Sequence, residues 1–360
     1  MGNPFPLQVN TKKSFQGSIV LGKGFIVSSE KALELIAKDP RNKEVLFPYL
    51  NGDDLNNDPL QRPSRWVINF FDWPEEKARL YPDCFEIVEK LVKPERLEQK
   101  DKIGKEKWWR FLRSRNELYE TISKLDQVMA VPLVSKYSCI EFTSKEFVFM
   151  HKLGIIALND FASFGLLSSS VHNLWCWKNS STLGAGTLNY STTDCFETFP
   201  FPSDVNTNNL KLISEKYYQF RKKFMVISKL GLTKTYNLFH TEDLSIISIS
   251  KIVKQDESIS QKIYSDIITL RDLHKQLDQS VIESYGWDDI HLLHGFYSLE
   301  YLPENDRIRF TIHPDARKEV LKRLLNLNHQ IYNTERKLDS HTEKKKKVKS
   351  KIDSSVPKLF

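Results

Sequence analysis

The 360-residue sequence has no long apolar run. Nothing in it approaches the roughly 18 consecutive apolar residues of a membrane-spanning helix, which excludes that class. The first 25 residues lack the basic start and unbroken apolar core of a secretory leader. Cysteine is scarce: Cys84, Cys139, Cys176 and Cys195 stand far apart, with no C-x-x-C pair. That spacing argues against a disulfide framework or a zinc site and fits buried thiols in a reducing cytoplasm. A general excess of positive charge is missing too. The net charge is +7, but six of those charges are Lys344 to Lys347, Lys349 and Lys351. Less those 6, the remainder stands at +1, so a nucleic-acid contact has to come from a local patch.

What is present is ordinary globular chemistry. Hydrophobic residues make up 40% and charged residues 28%, and the length suffices for a sizeable core and two domains. The stretch 166–202 stands out. Three serines, Ser168 to Ser170, are followed by His172, Trp175 and Trp177 on a tight aromatic segment, then by the small-residue loop 183–187. It ends in Phe199-Pro200-Phe201-Pro202, where proline, lacking a donor, stops helix and strand alike. Taken alone, this is an aromatic turn forming a rigid elbow after a polar loop.

At full length the stretch resembles the end of the target-recognition domain of MmeI-like restriction–modification enzymes. There a run of the form HxxWxW…SS…Y(T/S)xxDCFETFPFP closes the domain that reads DNA. Here the residues are His172, Trp175, Trp177, Ser180, Ser181, Tyr190, Ser191 and Asp194 to Pro202. Shorter segments resemble the same family: Ser14 to Gly17 (SFQG), 48–56 (PYLNGDDLN) and 231–240 (GLTKTYNLFH). The resemblance covers about 5–332.

Along the chain, 14–18 reads as a flexible loop able to approach a DNA strand, or as a structural turn. Residues 47–56 read as a turn, and 65–71 as a strand. Pro82-Asp83 and Glu98 to Lys100 imitate the order of metal-dependent nucleases. They fall in helix-patterned sequence, where the acids do not converge from one sheet. In 107–115 arginines alternate with aromatics; Trp109 and Phe111 are expected to pack, and Arg110, Arg113 and Arg115 to face DNA phosphates. Short β-rich runs in 127–162 suggest an antiparallel meander. Residues 210–229 form a basic amphipathic helix carrying Lys211, Lys216, Arg221, Lys222 and Lys223. Residues 231–240 read as a loop bracing a DNA backbone or clasping two domains. A long helix is expected at 259–284, a strand at 307–312 and a last helix at 315–337.

The fold expected is therefore α+β. A mixed antiparallel-sheet and helix target-recognition domain (8–203) precedes a mainly helical domain (204–338) and a disordered basic tail (339–360). Between Trp177 and Tyr190 the side chains are short and polar, on a glycine-containing loop with rigid flanks, which suits groove readout. The resemblance places base-reading positions just before Tyr190-Ser191. The base-reading candidates are Ala185, Thr187 and Asn189, with Ser180 and Thr182. The backbone candidates are Gln16, Arg110, Arg113, Arg115, Lys136, Lys178 and Lys234.

Complete enzymes of this family join a nuclease to a methyltransferase that uses S-adenosylmethionine on adenine. That chemistry needs a glycine-rich cofactor turn and an Asn-Pro-Pro-aromatic loop for the extruded base. Neither occurs in this chain; Asn3-Pro4-Phe5-Pro6 only approximates the second. No catalytic residue, metal or cofactor is expected here. S-adenosylmethionine and a divalent metal belong to the missing catalytic domains, and the chain reads as a split subunit or a truncated product. The partners expected are double-stranded DNA and the methyltransferase/nuclease half, with no membrane. The alternative is a protein-interaction remnant with no DNA role.

Overall fold

The structure, a computed structural model, describes residues 2–184, 186–203, 208–254 and 256–353, with side chains described as far as 338. It is α+β. One four-stranded antiparallel sheet runs in the order Ser14–Gln16, Leu153–Ile156, Gln127–Pro132, Glu141–Ser144. A second runs Ile26–Ser28, Arg65–Ile68, Leu46–Leu50, Val148–Phe149, its last pair parallel. The expected meander over 127–162 is thus divided among three sheets, with Val134–Ser135 in a third, small one. Val148 and Phe149 leave the first to bury against the second, and Met150 N–H donates to Leu50 O at 2.9 Å. Pairing with residues a hundred positions away leaves no local trace in sequence.

Several local readings change. Ser14–Gln16 is a strand rather than a flexible loop, and Gly17 follows it where a Cβ would meet Met150 O at 2.2 Å; only glycine fits. The segment read as a turn at 47–56 is strand Leu46–Leu50 followed by helix Gly52–Asn57. The Asn51 side chain caps that helix by accepting from the Asp53 and Asp54 N–H groups. His172, Trp175 and Trp177 lie on a helix, Ser170–Asn179. Trp109 and Phe111 are buried as expected, and so is Trp108, with Phe111 edge-on to Phe25 at 5.3 Å. The acids of the nuclease-like order sit on helices Pro82–Leu91 and Lys93–Glu98, with Asp83 paired to Lys38 at 2.5 Å.

Helix Asn208–Ser228 packs between Phe161–Ser168 and the long helix Glu257–Ser284. The largest apolar core runs from Met129 to Leu324 and continues across position 203. Arg221, read as part of a basic solvated face, is fully buried. It donates to Glu141 Oε2 at 2.9 Å, Ile140 O at 2.8 Å and Tyr236 Oη at 3.1 Å. The spacing Tyr217, Arg221, Phe224 places it on the apolar stripe. The expected loop at 231–240 is mostly helix, Leu232–Phe239, with Tyr236 bonded to Tyr217 at 2.6 Å. It packs on Gly52–Asn57, the geometry of a clasp.

The last helix, Pro314–Asp353, also fastens the start of the chain. Phe5 stacks on Tyr332 at 4.2 Å, and Asn328 donates to Phe5 O at 2.8 Å and Thr198 O at 2.7 Å. It extends past 338, where disorder was expected. Lysine and glutamate are good helix formers, and neither proline nor glycine occurs after Pro314 within the helix. Residues 354–360 lie outside the described residues. Among the described residues no helix is long and apolar enough to cross a membrane.

Candidate nucleic-acid interface

The loop between Trp177 and Tyr190 hangs from a heavily fixed base. Ser169 caps helix Ser170–Asn179, its side chain accepting from His172 N–H. The His172 Nδ1 lies 2.9 Å from Leu167 O, and burial lowers its pKa to about 4, so the ring is neutral near pH 7. Neutral imidazole carries one N–H, which Leu167 O accepts. Trp175 Nε1 donates to Thr198 Oγ1 at 3.0 Å. Phe199 stands edge-on to His172 at 4.8 Å. The family-like residues His172, Trp175 and Phe199 therefore lock the elbow and touch nothing outside.

From this base the chain forms a small three-stranded sheet, Ser181–Thr182, Leu188–Asn189 and Val134–Ser135. Leu183 N–H donates to Thr187 O at 3.0 Å and closes the loop; Gly186 turns it at φ +81°. Thr182 and Leu183 are exposed, while Thr187 and Asn189 are half-buried. The Asn189 amide nitrogen donates to Ser181 Oγ at 3.0 Å. Ala185 lies outside the described residues. Ser180 differs from the rest: its Oγ sits 2.5 Å from Cys195 Sγ and accepts from Ser191 N–H at 3.4 Å. It caps the junction, a holding role.

The hairpin is braced from the C-terminal part. Tyr301 stacks on Trp177 at 4.8 Å, and a Cβ on Gly186 would meet Pro303 Cδ at 2.7 Å. Lys136, next to strand Val134–Ser135, pairs with Asp306 at 3.0 Å and donates to Asn237 Oδ1 at 3.1 Å. Its charge is thus already engaged. Lys178 and Lys234 are exposed, the first at the end of the hairpin's supporting helix, the second on the clasp helix that carries Asn237.

Gln16 and the arginines form a separate cluster. Arg115 donates to Gln16 Oε1 at 2.9 Å, and Gln16 Nε2 donates to His151 O at 2.8 Å. Arg110 Nε and Trp109 Nε1 both donate to Trp73 O at 2.9 Å. Arg113 is exposed, and its side-chain bond is to the adjacent Leu112 O at 3.1 Å. These arginines and Lys107 line a cleft of about 420 Å³ that also holds Asp72. Sequence reasoning passed over Arg96 beneath the cleft. It is 1% exposed, donates to Val20, Leu21 and Arg110 carbonyls, and burial pulls its pKa down. Nothing in its local sequence marks that role, since its acceptors come from two distant segments. Tyr301, Pro303 and Asp306 were passed over for the same reason. Among the described residues no three His, Cys, Asp or Glu side chains converge as metal ligands.

The braced hairpin and most of the arginine-lined cleft's scaffold lie in a segment of the target-recognition-domain class. Residues 6–203 match the family model described as MmeI, target recognition domain, and the chain belongs to that family. Among solved structures the fold is similar to the Type IIL restriction-modification enzyme MmeI in complex with DNA. The TM-score is 0.59 and the identity 15%, over 92% of this chain and 37% of that one. This chain thus spans little more than a third of that structure's length. No curated protein matches.

Proposed function

We propose that this chain recognises a double-stranded DNA sequence as the specificity part of an adenine methyltransferase and restriction–modification enzyme. The observation that carries this reading is the hairpin 181–189. Within the segment matched to the family, it projects short polar side chains from a locked base, with Thr182 exposed and Thr187 and Asn189 half-buried. A groove reader needs that contrast between a rigid base and exchangeable tips. Thr182, Thr187 and Asn189 face base edges, with Ala185 assigned from sequence alone. Arg113, Lys178 and Lys234 meet phosphates. Arg110, Arg115 and Gln16 shape the cleft that positions them.

The methyl donor, S-adenosylmethionine, and a divalent metal belong to a catalytic half that this chain serves, so its own residues bind and orient DNA. The test is selection of bound duplexes from a randomised library, by the full chain alone and with a methyltransferase half. The expected result is one enriched site, with affinity falling steeply as salt rises. Binding without any enriched site, or none in either format, refutes the reading.

A further inference from the structure

Behind the hairpin, where strand Val134–Ser135, helix Ser170–Asn179, helix Leu232–Phe239 and the segment 299–311 meet, lies a cavity of about 80 Å³. That is well above the roughly 10–15 Å³ needed to admit a single water, so a few waters or one small tetrahedral anion fit. Its lining includes Lys136, Arg221, Arg309, His240 and His274, and no Asp or Glu among the described residues. The neighbouring acids pair with these same cations but are outnumbered by them. Asp306 is shared by Lys136 at 3.0 Å and Arg309, and Glu141 by Arg221 at 2.9 Å and Lys222 at 3.4 Å, while Asp278 takes His294 at 2.8 Å and lies 3.5 Å from His274.

Four residues of the lining carry polar atoms without partners. Arg221 Nε, His274 Nδ1, His240 Nδ1 and Ser168 Oγ are all buried and make no hydrogen bond. Arg221 is 0% and His274 7% exposed, so solvent does not satisfy them. Orphaned groups at this depth ask for a specific occupant. The field here is positive: burial, then Arg309, His274, Arg271 and Lys136, push the His240 pKa well below its ordinary value. An anion inserted here would meet donors from both the recognition part and the helical part.

We propose that this cavity is a binding site for a phosphate-class oxyanion, held by Lys136, Arg221, Arg309, His240 and His274. It does not depend on the hairpin reading bases. Tyr301, on the lining, is 43% exposed. The anion's source is free inorganic phosphate or a phosphate of the nucleic-acid backbone.

The experiment is thermal unfolding of the full chain in sodium phosphate, against sodium chloride at matched ionic strength. Phosphate is expected to raise Tm saturably, by about 3–5 °C at a hundredfold excess over Kd. Arg309→Gln, which keeps a hydrogen-bonding group near Tyr137, and His240→Phe, which keeps the ring stacked on Tyr137, should each lose most of that shift. If one variant fails to fold, the other decides, and phosphorus NMR line broadening of phosphate with the parent protein gives an independent readout. A phosphate effect equal to that of chloride overturns the proposal, and so does a shift undiminished in the folded variants. Added duplex separates the sources. Loss of the phosphate effect on saturation with DNA identifies a backbone phosphate at the site, whereas an unchanged effect identifies the free anion.

Discussion

The hairpin 181–189 and the polar groups sealed beneath it use similar side chains in opposite circumstances. On the hairpin, Thr182 is exposed and Thr187 half-buried, and neither side chain is bonded to a distant element. Beneath it, Arg221, Glu141, Tyr236 and Tyr217 are buried or nearly so and linked by direct hydrogen bonds. The cleft cluster is intermediate: Gln16 and Arg115 hold each other, while Arg113 reaches outward. A polar group already paired inside the chain maintains shape, and removing it costs stability. One left outward is available to a ligand, and changing it should alter binding while the fold stands. Sequence resemblance marks both kinds alike.

The largest effect expected is in the sealed group. Glu141→Ala leaves Arg221 buried without its carboxylate and should lower stability by about 3–5 kcal/mol, read from urea unfolding. A loss below about 1 kcal/mol would mean that water reaches Arg221 and that the contrast with the hairpin is false.

Next is a pH effect. In the unfolded chain a histidine takes up its proton near pH 6.5, whereas folded His172 resists until about pH 4. The unfolded state therefore gains protons first as pH falls. Stability is fully present above about pH 6.5 and is lost towards pH 4, by up to about 3 kcal/mol from this ring. His240 and His274 are lowered by burial and act in the same direction. His172→Phe should flatten the fall between pH 7 and pH 5; an unchanged pH profile would show that the ring is not sealed.

Smaller effects belong to the phosphate contacts. Arg113→Ala should weaken binding to all duplexes alike and reduce the salt slope by about 1, with stability unchanged. Deleting 344–360 should likewise lower non-specific affinity and leave the preferred sequence as it was. A shift in sequence preference from either change would move base reading away from the hairpin.

How much of this was legible in the sequence follows the same division. The long helix Glu257–Ser284 was written in the spacing of Ile267, Leu270, Leu277 and Val281, and the burial of Trp109 and Phe111 in their bulk. The polar loop was legible because small polar residues lie between aromatic flanks, whereas its pairing as a hairpin on Val134–Ser135 was not. Helices Gly52–Asn57 and Leu232–Phe239 were read as loops because their polar, turn-favouring residues mask short amphipathic patterns. Arg221 was counted with the solvated lysines because its partner Glu141 is 80 residues away. Ser180, Gln16 and Lys136 drew attention as polar residues in family-like segments. Whether each was already engaged depended on Cys195, Arg115 and Asp306, a matter of tertiary structure.

The most direct measurement compares site preference between the hairpin and the cleft. Thr187→Lys, Asn189→Asp, Arg113→Ala and the parent chain would each be taken through selection on one randomised duplex library, joined to the methyltransferase half. The account predicts that each hairpin variant changes preference at one position of the site, by roughly 1–3 kcal/mol in discrimination. Arg113→Ala should select the parental site with uniformly lower affinity. If Thr187 and Asn189 variants lose affinity equally for every sequence, or not at all, the hairpin is scaffold and the bases are read elsewhere.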